Sequence, residues 1–150
     1  MKFGPKDTAY AEIYVADNTT ATAIPTGSTY TKLSLPDAAV GSSKNCTVST
    51  ANGNLIVQQS GQYLVVGAFS SKLGTTDVIW DTATFVNDVV QNNLHMRRRF
   101  STSGYTFNVA ISGIVDLKAG DVLDIRVKHN NGSSVNITNE YANISIALID

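Results

Sequence analysis

At 150 residues the chain has room for one domain, and a formal charge of -1 gives it no long-range attraction to a phosphate backbone. Charged residues make up 15% of the sequence, against a usual share of about 25%, and Asn, Ser, Thr and Gly take their place. The opening MKFGPKDTAY lacks the apolar stretch of a signal peptide, and no run approaches the ~18 apolar residues of a membrane-spanning helix. The expectation is therefore a soluble protein made in the cytoplasm, with neither nucleic acid nor membrane as partner.

Residues 1–9 read as an N-terminal arm, too polar to nucleate structure but carrying Phe3 between Lys2 and Lys6 as an anchor for docking on a partner. The domain proper is expected over 10–150. It is rich in Val, Ile and Thr, whose branched Cβ is awkward in a helix and packs well on a pleated sheet.

In chain order, strands are predicted at Ala11 to Val15, Tyr30 to Leu35, Cys46 to Thr50 and Leu55 to Gln58. Pro25-Thr26-Gly27, Pro36-Asp37 and Asn52-Gly53 break the chain between them. Gln62 to Ser70 follows and differs from its neighbours. Tyr63, Val65 and Phe69 on one parity are matched by Leu64, Val66 and Ala68 on the other. Apolar residues on both faces imply cover on both, either from the rest of a sandwich or from a neighbouring subunit.

Val78 to Val86 and Leu94 to Phe100 are the next strands, and Asp88 to Asn93 between them has room for one helical turn. The second strand contains Arg97-Arg98-Arg99, the dense cationic feature of the chain. Alternation puts Arg97 and Arg99 outside with His95, and Arg98 on the parity of Leu94, Met96 and Phe100. Arg98 must then sit at a bulge or find a carboxylate at a subunit boundary, because an unpaired buried guanidinium is costly. The row reads either as a charge-guarded edge strand or as a grip on an acidic surface.

The clearest alternation comes last. Tyr105 to Leu117 keeps Phe107, Val109, Ile111, Val115 and Leu117 on one parity; Asp121 to His129 keeps Leu123, Ile125 and Val127; the closing strand keeps Ile144, Ile146 and Leu148. Many short strands joined by turns make an all-β antiparallel sandwich or barrel.

Chemistry-bearing residues are sparse. His95 and His129 have no metal-ligand partner two or four residues away, and no nucleophile elbow, phosphate-binding glycine loop or zinc-protease helix motif occurs. Asp116, Asp121 and Asp124 read as solvated turn residues rather than calcium ligands or a carboxylate pair. Cys46, the one cysteine, excludes an intrachain disulfide and reads as a small buried side chain rather than an intermolecular bridge. The Asn-x-Ser/Thr triplets at Asn18, Asn45, Asn131, Asn136 and Asn143 read as chance products of composition. The chain is expected not to be an enzyme, with no catalytic residue, metal or cofactor.

Three segments carry a family resemblance. Ser60-Gly61-Gln62-Tyr63-Leu64-Val65-Val66 resembles the Gly-x-Tyr strand, Val115 to Val127 with its Ala119-Gly120-Asp121 stretch resembles the apolar-x-x-Gly-Asp-x-apolar turn, and Tyr141 to Ile149 resembles the closing apolar strand of TNF-like and complement-type globular heads. The resemblance implies a jelly-roll β-sandwich that assembles as a homotrimer through apolar and aromatic side chains, for which Tyr63, Val65, Tyr141, Ile144, Ile146 and Leu148 are the candidates.

Phage domains similar to these serve as capsid decoration (cement) proteins and as fibre tips. The lack of a signal peptide, and a start only some ten residues before the first strand, favour the first: a virion protein that binds the major capsid protein. Lys2, Phe3, Lys6, Arg97, Arg98 and Arg99 are the candidate contacts. The alternative is a receptor-binding tip whose loops, such as Ser71 to Thr76 or Asn130 to Ser134, meet host glycan or protein.

Overall fold

The computed structural model describes residues 8–27 and 29–150. Among these residues the chain forms twelve strands and no helix: β1 (Tyr10–Val15), β2 (Thr22–Ile24), β3 (Thr31–Lys32), β4 (Ala39–Lys44), β5 (Cys46–Ser49), β6 (Asn54–Val57), β7 (Gly61–Leu73), β8 (Val78–Val86), β9 (Val89–Phe100), β10 (Thr106–Leu117), β11 (Val122–His129) and β12 (Val135–Leu148). The first sheet has the order β10-β7-β12-β1-β4, with β2 also on β12. The second has the order β5-β6-β11-β8-β9, with β3 also on β11. Every pairing is antiparallel, and the chain crosses between sheets at each connection from β2 to β5, from β6 to β8 and from β9 to β12. This is the expected jelly roll.

Alternation decides what fills the space between the sheets. Ile13, Tyr63, Val65, Phe69, Ile111, Ile144 and Ile146 from the first sheet meet Leu55, Trp80, Leu94, Leu123, Ile125 and Val127 from the second. Each such side chain contributes about 1.5–3 kcal/mol through removal from water. Tyr63, fully buried, donates its hydroxyl proton to the carbonyl of Gln59 at 2.8 Å, so its polar end is satisfied.

The segment read as a possible helical turn, Asp88 to Asn93, is instead a hairpin and the start of β9. Asn87 (φ 47°) and Asp88 (φ 66°) both have positive φ, and Val86 pairs with Val89 across the two-residue turn. That geometry matches the right-handed twist of the flanking strands, and Asn and Asp tolerate it. Two further strands, β2 and β4, lie where none was predicted. β2 spans only three residues, and most of β4 is exposed, so neither presents a strong alternating apolar pattern.

The Tyr30 to Leu35 segment keeps only Thr31–Lys32 as strand, because Leu33 and Leu35 tuck into the core ahead of the Pro36-Asp37 turn. At the other end, β12 begins well before Tyr141 and carries a bulge between Asn139 and Tyr141. The bulge switches its inward parity from Val135, Ile137 and Asn139 to Ala142, Ile144 and Ile146, and it leaves Tyr141 outside.

The arm residues 1–7 lie outside the described residues. Thr8 and Ala9 already belong to the domain: Ala9 is buried and accepts the amide of Leu148 at 2.8 Å, and the Thr8 carbonyl accepts from the Asn45 side chain at 2.9 Å. Cys46 is half-buried against the core; burial pushes its thiol pKa up, against the opposing backbone hydrogen bond of Gln58.

Candidate interaction faces

The two outer faces of the sandwich differ in chemistry. On the first sheet, strand register aligns the outward side chains in rows. Ile114, Leu64, Ala147 and Tyr10 form one row; Ser112, Val66, Ser145 and Glu12 the next; Ala110, Ala68, Asn143 and Tyr14 the third. Ile114 is 50% exposed, and Leu64, Tyr10 and Tyr14 are each close to 40%. A groove of about 630 Å³ runs between Tyr14 and Tyr141 over a floor that includes Ala68, Ala110 and Asn143. The double apolar parity of the Gln62 to Ser70 strand is thereby explained: one parity fills the core, and the other lies on this open face.

One carboxylate occupies the middle of that face. Glu12 is half-buried and lies flat, its Oε2 accepting from Asn143 Nδ2 at 2.8 Å and from Ser145 Oγ at 3.2 Å. Gly41 on β4 makes room for it, since a Cβ there would overlap the carboxylate. Other charge stands at the margin, where Lys72 pairs with Glu140 at 2.5 Å and Thr106 Oγ1 donates to the same carboxylate at 2.7 Å. These contacts, the Lys72 hydrogen bond foremost, hold the Glu140 carboxyl below its usual range.

The outer face of the second sheet is laced with charge. Asp81 is buried; its carboxylate accepts from Arg97 Nε at 2.8 Å and Nη2 at 3.1 Å, and lies 3.2 Å from His95 Nε2. Burial pushes the Asp81 carboxyl up, but hydrogen bonds and charge from Arg97 and His95 outweigh it and hold the group below its ordinary value. Tyr30 caps this cluster, its hydroxyl 3.2 Å from His95 Nε2 and its ring edge-on to Phe85 at 5.1 Å.

Beside it, Arg126 grips Asp124 at 2.7 and 3.0 Å and also reaches Asp88, while Lys32 stands 3.5 Å from Asp124. Asp124 is therefore not the solvated turn residue expected. It lies on an inner strand of the sheet, where burial demands the cations that surround it.

The trimer-interface candidates divide. Tyr63, Val65, Ile144 and Ile146 are spent on the chain's own core, and Leu148 packs against it. This corrects their assignment to a subunit boundary: the candidates were drawn from the inward parity, and the uncovered side chains are their neighbours. Tyr141 is the exception, 50% exposed and donating its hydroxyl proton to Asp17.

Among the candidate partner contacts, Lys2, Phe3 and Lys6 lie outside the described residues. Arg97 and Arg99 point outward as expected, Arg99 held by Asp77 at 2.6 Å. Arg98 is exposed despite its inward parity, because β9 is an edge strand. Its guanidinium crosses the open flank between the sheets, donates to the Asn108 carbonyl on β10 at 2.5 Å and lies 5.3 Å from the Phe100 ring centre.

The histidines serve structure. His129 is buried against Trp80, its Nε2 donating to the Ile24 carbonyl at 3.1 Å and its Nδ1 accepting the Asn131 amide at 3.2 Å, which fixes one neutral tautomer. Among the described residues no three His, Cys, Asp or Glu side chains are grouped to hold a metal ion. Glu12, Leu64, Val66, Ile114 and Asp81 were not singled out from sequence as interaction residues. The legible signal was the second apolar parity of β7.

No protein-family model and no curated protein matches the chain. Among solved structures, the fold is similar to the globular domain of zebrafish complement 1qA protein, with a TM-score of 0.65 and 14% identity over 95% of this chain and 98% of that one. It is also similar to Eiger TNF from S. frugiperda, with a TM-score of 0.59 and 15% identity over 95% of this chain and 94% of the other. The likeness is one of fold and spans the whole described sandwich: this is a TNF- and complement-type jelly roll.

Proposed function

We propose that the protein is a non-enzymatic head that assembles as a homotrimer on the outer face of its first sheet and, so assembled, decorates the outer surface of a phage capsid. The observation that carries this reading is the face itself: Leu64, Ile114, Tyr10 and Tyr14 stand exposed, with Val66 half-buried among them, on a sheet with little charge, and none of the described residues covers them. Leucine, isoleucine and tyrosine together on such a face mark an interaction surface. The similar fold of complement and TNF heads supports self-association as the use of that surface.

Burial of this face on sister copies leaves the charged outer face of the second sheet to meet a partner. There Arg97 and Arg99, steadied by Asp81 and Asp77, hold further N–H groups towards an acidic capsid surface. Three copies of a modest contact multiply into high avidity. Purified protein mixed with undecorated capsids is expected to bind at a multiple of three chains and to raise the temperature at which the capsids release their contents. No binding, or binding without that gain, would contradict capsid decoration.

The receptor-tip reading has its own support, in that the loops singled out for it meet at one end of the sandwich. The Gly74 amide donates to the Asn136 carbonyl and the Gly104 amide to the Leu73 carbonyl; the Asn130 side chain accepts the Ile79 amide. Tyr105, 73% exposed, stands among these Ser-, Thr-, Asn- and Gly-rich segments as a stacking surface for a sugar ring. Glycan binding abolished by Tyr105→Ala, with block of adsorption to host cells, would favour it.

A further inference from the structure

We infer that Glu12 on the face of one copy receives Arg98 from the flank of the next, and that this pair makes the assembly a head-to-tail ring. The inference deepens the self-association reading and rests on it. It starts from a mismatch of charge. Glu12 has hydrogen-bond donors in Asn143 and Ser145, but among the described residues no lysine or arginine pairs with it. In water this is harmless. Under a second copy it is not, because a carboxylate taken out of water without a cation carries a large desolvation penalty.

A covering copy can bring that cation, and the described arginines narrow the choice. Arg97 is committed to Asp81, Arg99 to Asp77, and Arg126 to Asp124 and Asp88. Arg98 has no carboxylate. It spends one N–H on the Asn108 carbonyl and keeps the rest of its planar fork for a partner, which suits two-point recognition of a carboxylate.

The flank that presents it also fits an uncharged face. Met96 is 37% exposed there, and the flank is held in shape by Asn93 Nδ2, which donates to the Ile114 carbonyl at 2.8 Å, and by the Phe100 and Phe107 rings at 3.8 Å.

Symmetry follows from where the two groups lie. Face packed on face about a two-fold axis offers Glu12 only the Lys44 that stands at the β4 margin of that face, and leaves Arg98 without a carboxylate. Flank packed on face pairs the Glu12 of one copy with the Arg98 of the next, and leaves the first copy its flank and the second its face for further contacts. Such a contact is heterologous, and it closes into a ring when the rotation between copies is a whole fraction of a turn, as the three-chain assembly proposed above requires.

The test is a double-mutant cycle on the full chain, with Glu12→Gln, Arg98→Gln and both together, read by sedimentation equilibrium across a dilution series. Glu12→Gln keeps an acceptor for Asn143 and Ser145, and near-ultraviolet circular dichroism checks that each variant retains the packed fold. Each single change is expected to weaken association by about tenfold or more, with little further loss in the double variant. The exchange Glu12→Arg with Arg98→Glu is expected to recover much of the lost association.

An associating wild type whose Glu12→Gln and Arg98→Gln effects multiply independently, or are both absent, would overturn the pair while leaving self-association intact. Coupling of Glu12 to Lys44 or Lys118 in place of Arg98 would do the same. A wild type that stays monomeric at every concentration would overturn the self-association reading and the pair with it.

Discussion

Asp81 shows how much a single side chain on this fold depends on its surroundings. Its carboxylate is buried on the outer side of β8 under Tyr30 and is ionised because Arg97 and His95 supply the charge and hydrogen bonds that water would otherwise give. A carboxyl whose folded pKa is lowered adds stability that is complete above its unfolded pKa and disappears as the pH falls through the folded value. Asp81→Asn is therefore expected to cost about 2 kcal/mol at neutral pH. It should also shrink the loss of stability on acidification below the usual carboxylate range. Denaturant titrations of both proteins at neutral and acid pH check this, and parallel pH profiles would contradict it. Sequence could not expose this cluster. It placed His95, Arg97 and Arg99 on one face by parity, but Asp81 and Tyr30 join them only through the β8–β9 register and the chain that runs over the second sheet.

At the scale of elements, the strands that alternation made clearest in the sequence were those with one wet and one dry face. β10, β11 and the end of β12 were readable because Val109 and Ile111, Leu123 to Val127, and Ile144 and Ile146 recur at every second position. The turn from Lys118 to Asp121, which carries the chain from β10 in one sheet to β11 in the other, was readable too. Gly120 has φ +95°, Asp121 Oδ2 accepts the Lys118 amide at 2.8 Å, and Asn87 ties the turn to the β8–β9 hairpin through Asp121 and Val122. Gly120→Ala is expected to lower stability by about 1–2 kcal/mol, since a Cβ is disfavoured at that φ. Denaturant unfolding measures it, and there is no neighbouring atom within 4 Å for a steric clash to confuse the result. The bulges were not legible. Four residues of β9, Gln91 to Leu94, stand opposite Thr84 alone, and the bulge in β12 between Asn139 and Tyr141 switches its inward side from Val135, Ile137 and Asn139 to Ala142, Ile144 and Ile146.

For the whole molecule, the jelly roll was legible from alternation and from three short motifs, whereas the surface it offers was only half so. Parity marks which side chains leave water, but it does not tell the core of one chain from the boundary between two. Apart from Tyr141, the residues assigned to the boundary belong to the core or pack against it, and neighbours of theirs in sequence such as Leu64 and Val66 lie on the open face. Leu64 and Val65 put this contrast into adjacent positions, one about 40% exposed on that face and the other fully buried. The most direct measurement is the native mass in solution of the wild type, Leu64→Asp and Val65→Asp. The account predicts a three-chain mass for the wild type, a folded single chain for Leu64→Asp, and loss of the fold for Val65→Asp. A single-chain mass for the wild type at every concentration, or an unchanged three-chain mass for Leu64→Asp, would contradict it.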